Sequence, residues 1–234
     1  MPNIKFCGFT DYNNLKQILE LKPDYIGLNC VLESLRFIDF DKFKLFSELV
    51  QSRGCKVVGV FRNESIESLL KYLPHLDIIQ LHGDEGIEYI EELGKTIDQV
   101  QLKNERITSQ AEDDDKIEIW KAFFTPSFRG KAEESVAQNI IKVSKYVDKI
   151  LLDVPKTTDL SSGIGTQNNF ELYSSLVENS KCVILAGGIN PENIEFYKEK
   201  YKPKIIDIAS GVENSIAGIK DFIKCEKILE KDFN

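Results

Sequence analysis

The sequence lacks several features that would mark another kind of protein. No stretch approaches ~18 apolar residues, so a membrane span is not expected. Met1–Thr10 holds no apolar leader core, so no secretory signal is expected either. Lysine and arginine form no run that would build a basic face, and the net charge is −8, which argues against a nucleic-acid partner. The five cysteines, Cys7, Cys30, Cys55, Cys182 and Cys225, are odd in number and fit neither a zinc pattern nor a disulfide framework. These absences point to a reduced, cytoplasmic chain. No linker and no strong repeat divides it.

Present instead is an ordinary globular composition: 234 residues, 42% apolar and 29% charged. Short apolar runs alternate with amphipathic segments. Strands are predicted at Ile4–Phe6, Tyr25–Leu28, Lys56–Phe61, Asp77–Leu81, Ile117–Phe123, Lys149–Val154, Cys182–Ala186 and Lys204–Ala209. Helices are predicted over Asp11–Leu21, Phe40–Ser52, Glu64–Tyr72, Asp84–Leu93, Ala132–Lys145, Phe170–Val177, Pro191–Lys200 (proline in its first turn) and Ile216–Lys231. The segment from about 95 to 116 breaks the pattern. It is polar, carries an acidic run at Glu112–Asp115, and reads as an insertion or long surface loop, with a short extra strand possible at Gln99–Leu102. Strand and helix in alternation imply a parallel sheet with helical crossovers. Units of this number in a chain of this length suit a single-domain α/β protein over residues 1–234, a (β/α)8 TIM barrel, better than an open doubly wound sheet.

Active sites of such barrels lie at the C-terminal ends of the strands, so the residues there carry the functional argument. The first strand ends at Cys7, which as a thiolate would serve as base or nucleophile and otherwise as a small buried hydrophobe. The sixth ends at Asp153, where partial desolvation would suit a general acid; a turn-capping aspartate is the plainer alternative. The seventh and eighth end in the small-residue turns AGGIN, 186–190, and ASGVEN, 209–214. Paired turns there make an anion cradle, because glycine lets backbone N–H groups approach a phosphate. Arg36, after the second strand, has the fork to grip a carboxylate. Asp84 and Glu85 read as first-turn helix acids, His82 as having no neighbour that makes it a base, and His75 as loop surface.

Taken in order, KFCGFT at 5–10, DYIGLN at 24–29, SLRFI at 34–38, KVVGVF at 56–61, LDIIQLHGDE at 76–85, KAF at 121–123, LLD at 151–153, SGIG at 162–165, LAGGINPEN at 185–193, DIASGVEN at 207–214 and GIKD at 218–221 resemble the phosphoribosylanthranilate isomerase family along nearly the whole chain. The resemblance implies an Amadori-type isomerase of tryptophan biosynthesis that needs no metal and no cofactor and takes a small phosphosugar substrate, as a monomer or homodimer. It implies Asp153 as the general acid that opens the ribose ring and Cys7 as the base at C2. By the same resemblance Arg36 binds the anthranilate carboxylate, and Gly163, Gly165, Gly187, Gly188, Ser210 and Gly211 hold the phosphate. Asp207 would contact the sugar or brace the last loop. The chain departs from the family pattern in places. Leu35 stands where proline is usual, which implies a looser loop. Ile164 replaces the threonine of a Gly-Gly-Thr-Gly turn, Asn168, Asn169 and Phe170 replace Phe-Asp-Trp, and Ala209 replaces the first of two serines. These changes remove side-chain donors near the phosphate. They leave open two other functions: a related barrel acting on another phosphosugar, or a barrel that binds without catalysis.

Overall fold

The computed structural model describes residues 1–105, 116–124, 131–153 and 182–230, without side chains at 103–105, 131–134 and 182. Eight parallel strands close into a barrel in chain order: β1 Asn3–Cys7, β2 Tyr25–Asn29, β3 Lys56–Phe61, β4 Ile78–Leu81, β5 Glu118–Phe124, β6 Lys149–Asp153, β7 Cys182–Ala186 and β8 Ile205–Ile208. The closed ring excludes the open sheet. The described helices are α1 Tyr12–Leu19, α2 Phe40–Gln51, α3 Ile66–Leu70, α4 Ile87–Glu105, α5 Lys131–Val143, α6 Ile194–Tyr201 and α7 Phe222–Leu229.

Two apolar layers arise from the strand period of two. Val58, Ile78, Trp120, Ala122, Leu151, Ile184 and Ile205 fill the barrel's interior. Their alternating neighbours, among them Phe6, Ile26, Val57, Ile79, Leu152 and Ile206, pack outward against the helices. A charged device recurs at the N-terminal rim. Asp24, Asp77 and Asp148 each immediately precede an even-numbered strand. Each carboxylate accepts the N–H of the second residue of the preceding odd strand: from Ile4 at 2.8 Å, Val57 at 2.7 Å and Ile119 at 2.8 Å. Backbone donors near the start of a buried strand need such partners.

The helix boundaries correct four expectations. The polar segment at 95–116 is not wholly an insertion: α4 continues through it to Glu105, because Ile90, Leu93, Ile97 and Val100 keep a helical apolar stripe beneath the polar surface. No strand forms at Gln99–Leu102; residues 106–115 lie outside the described residues. The helix expected from Ile216 begins instead at Phe222, where the Asp221 carboxylate accepts from Lys224 N at 3.0 Å. The stretch before it is a loop turned by Gly218 at φ +87. Pro191 lies in a turn ahead of α6 rather than in its first turn, since Asn190 and Asn193 tie that turn through their side chains. The third helix is shorter than Glu64–Tyr72: Ser65 caps it, and a 3-10 turn at Leu73–His75 comes after it. The helix expected at Phe170–Val177 lies outside the described residues.

Candidate active site

β1 places two inward side chains in sequence. Lys5 points into the barrel, and Cys7, two residues on, points the same way at the C-terminal mouth. Cys7 lies opposite Gly27 of β2, and a Cβ on Gly27 would stand 2.6 Å from the Cys7 sulfur. The missing side chain therefore makes room for the thiol. Asp207 of β8 is in register with Lys5 and reaches its ammonium at 2.9 Å. β6 ends at Asp153, flanked in register by Phe124 and Ala186.

The turn after β7 depends on Gly187 and Gly188, both in the left-handed region at φ +97 and +66. Asn193 fixes it by donating to the Gly188 carbonyl at 3.0 Å. The turn after β8 comes so close that a Cβ on Gly211 would overlap the Ile189 carbonyl oxygen. Gly211→Ala is accordingly expected to cost about 1–3 kcal/mol in stability. A denaturant melt checks it, and an unchanged midpoint would mean that the two turns are not in contact.

Cys7, Arg36, Asp153, Gly187, Gly188, Asp207, Ser210 and Gly211 all line one cavity of about 390 Å³ at the C-terminal mouth. Gly163 and Gly165 lie outside the described residues. A larger hollow of about 720 Å³ adjoins this cavity and shares Asn29, Val60, His82 and Phe124 with it. Among the described residues, no three His, Cys, Asp or Glu side chains converge as a metal site would require.

Arg36 is not held loosely, despite Leu35 before it. Its Nε and Nη2 both donate to the Glu213 carboxylate at 2.6 Å, and its aliphatic stem lies on Gly8, where a side chain would collide with it. Glu213 also accepts from Lys220 at 3.0 Å and from Gly218 N at 2.8 Å. Burial alone would raise the Glu213 carboxyl, but these cations and donors outweigh it and hold it down at about 2. Lys220 in turn donates to the Ala209 carbonyl at 3.0 Å, which braces the turn after β8. The loops after β2 and β8 are thereby joined through one ionic knot.

Several residues at this mouth have no role that the sequence alone would assign. His82 Nε2 stands 3.8 Å from Asp153 Oδ2, and Gln80 Nε2 lies 3.2 Å from His82 Nδ1. Desolvation at the barrel mouth lowers the His82 imidazole from its ordinary value, although the side chain keeps 40% of its surface exposed. Glu85 does not serve α4, which begins after it. Its carboxylate accepts from Asn63 N at 2.7 Å and Gly83 N at 3.0 Å and pairs with the buried Lys121 at 3.1 Å. Lys5, Glu213 and Lys220 likewise emerge only from the fold. His75 sits in the 3-10 turn, its ring centroid 5.9 Å from that of Phe40, rather than on open surface.

A profile of the N-(5'-phosphoribosyl)anthranilate isomerase family matches residues 4–117 and 87–231. The N-(5'-phosphoribosyl)anthranilate isomerase of Acetivibrio thermocellus is 31% identical over 99% of this chain and 95% of its own length. That of Aquifex aeolicus is 32% identical over 99% and 98%. Among solved structures, the phosphoribosylanthranilate isomerase of Thermotoga maritima superposes with a TM-score of 0.73 at 25% identity, covering 98% of this chain and 97% of that one. A phosphoribosylanthranilate isomerase bound to reduced 1-(o-carboxyphenylamino)-1-deoxyribulose 5-phosphate shares the fold with a TM-score of 0.70 at 24% identity, over 98% and 97% of the two chains.

Proposed function

The chain belongs to the N-(5'-phosphoribosyl)anthranilate isomerase family, and from that premise we propose that Cys7 and Asp153 carry the two proton transfers of the reaction. The enzyme isomerises N-(5-phosphoribosyl)anthranilate to 1-(2-carboxyphenylamino)-1-deoxyribulose 5-phosphate in tryptophan biosynthesis. The observation that carries the assignment is that a thiol and a carboxyl group from strands on different sides of the barrel line one cavity, with Arg36 and two glycine turns around them.

Asp153 gives its proton to the ribose ring oxygen. The C1–O bond breaks, and the nitrogen lone pair completes a Schiff base. The Cys7 thiolate then takes the C2 proton. The electrons of that C–H bond become the C1–C2 double bond, and the C–N π pair returns to nitrogen, giving the enolamine. Loss of the enol O–H proton and gain of a proton at C1 yield the ketone. Atoms and electrons balance without any redox partner. His82 stands beside Asp153, its Nε2 3.8 Å from Asp153 Oδ2.

The turns at Gly187–Gly188 and Ser210–Gly211 bind the phosphate together with Gly163 and Gly165, and Asp207 sits under the sugar. Arg36 binds the anthranilate carboxylate through the guanidinium edge that Glu213 does not occupy. Holding the substrate at both ends fixes C2 between base and acid, and positioning of this kind lowers the barrier. Arg36→Ala is expected to raise KM for the carboxylated substrate about tenfold or more, with a smaller effect on kcat. Steady-state kinetics would show this, and an unchanged KM removes Arg36 from the site.

In this reading the whole chain is one catalytic domain working in the cytoplasm with reduced cysteines; Cys7, Cys30, Cys55 and Cys225 are all free thiols. Its partner is the small phosphosugar, and it works without cofactor, nucleic acid or membrane, as a monomer or homodimer. The described residues contain no helix long and apolar enough to cross a membrane. The direct test is to give purified protein freshly made phosphoribosylanthranilate and follow the decay of anthranilate fluorescence. Decay faster than in buffer is expected; a rate equal to buffer rejects the activity.

A further inference from the structure

The side chain of Lys5 has no exposed surface, and among the described residues its charge forms one ion pair, with Asp207 at 2.9 Å. The contact is made by Asp207 Oδ2; Lys5 Nζ makes no hydrogen bond of good geometry, and Asp207 Oδ1 has no hydrogen-bond partner. An ammonium has three donors, so this one keeps capacity to spare at the centre of the barrel. The strand period places it directly below Cys7 on the same face.

Among the described residues, charged groups from several elements bear on the thiol. Lys5 comes from β1 itself and Asp207 from β8. Lys220 comes from the loop before α7, and Arg36 from the loop after β2. Gly27 of β2 contributes no side chain. Arg36 and Lys220 are both engaged by Glu213, and Lys220 also by the Ala209 carbonyl. Asp153 at the end of β6 and His82 beyond β4 line the same cavity as the thiol and face it from the other side. Of the three cations, Lys5 is the one whose buried nitrogen makes no hydrogen bond of good geometry.

We propose that Lys5 is a positioning residue for the isomerisation: its ammonium, enclosed beneath Cys7 and shared between the sulfur and Asp207, stabilises the thiolate that takes the C2 proton. The inference rests on the assignment of Cys7 as the base. Burial pushes the Cys7 thiol up, and Lys5 is the largest influence opposing that shift, with Asp207 acting against Lys5. Removing Lys5 should push the thiol higher still, and removing the Asp207 charge should let it fall.

The test is the pH dependence of Cys7 alkylation by iodoacetamide, read on the Cys7 peptide by mass spectrometry so that the other cysteines do not intrude. In Lys5→Met the alkylation midpoint should rise by about one unit or more. The ascending limb of kcat/KM against pH should move with it, lowering turnover at pH 7 about tenfold per unit while KM changes little. In Asp207→Asn the midpoint should fall. A folded Lys5→Met protein with an unmoved midpoint overturns the proposal. If Lys5→Met does not fold, Asp207→Asn decides: a lower midpoint supports the shared ammonium, and an unmoved or higher one overturns it. Failure of the underlying assignment is read separately. Cys7→Ser with full turnover would show that Cys7 is not the base, and so would end the catalytic role claimed for Lys5, while the alkylation midpoints would still report whether Lys5 acts on the thiol.

Discussion

Asp153→Asn is expected to lower kcat by at least ~10²-fold while leaving the fold and KM nearly unchanged. Asparagine has the same shape and keeps polar contacts, but it has no acidic proton to give to the ring oxygen. The substitution is structurally mild. Asp153 ends β6, its backbone is held by register with Phe124 and Ala186, and its side chain is 32% exposed. Among the described residues, His82 is a candidate replacement acid, but its imidazole is lowered from the ordinary value and it stands 3.8 Å from the carboxylate it would have to replace. Ring opening is therefore the step that should suffer. The measurement is steady-state decay of anthranilate fluorescence, with circular dichroism to confirm the fold. Turnover within a few-fold of the parent would show that some other group protonates the ring oxygen.

Much of this arrangement is legible in the chain because it depends on local pattern. Barrel strands are apolar on both faces, so KVVGVF and CVILA announce themselves as buried runs, and the residues that end them mark the mouth. Cys7, Asp153 and the glycine turns each stand at the end of a strand or just beyond it, which is where the barrel's chemistry gathers. The features that escape depend on distance along the chain. Arg36 and Glu213 are 177 residues apart, and nothing near either announces the other. Lys5 stands between Ile4 and Phe6 in IKF, where a lysine ordinarily signals the solvent side. Only closure of the ring, which sets Asp207 beside it, turns that position into a buried cation. The α4 boundary escapes for a different reason. Composition over 95–105 is polar, and it masks a sparse apolar stripe whose partners are the strands beneath.

That dependence on closure also sets what Cys7→Ser should do. A serine fits the space over Gly27 and keeps the backbone register with β2, so the fold should be retained. The hydroxyl, however, is far harder to ionise than the thiol, and the environment that makes the thiol marginal makes the hydroxyl hopeless. Burial opposes the anion, and the available ammonium compensates only in part. A kcat loss of at least ~10²-fold is expected, with substrate binding retained through the phosphate turns and Arg36. The pH profile separates this from a structural effect. The Cys7 thiol is raised above its ordinary range, so thiolate grows as pH increases, and kcat/KM of the parent should climb through and above neutrality. In Cys7→Ser that climb should vanish, because the group that titrates there is gone. A serine variant whose activity still rises with the parent's midpoint would assign the limb to another group and move the base away from β1.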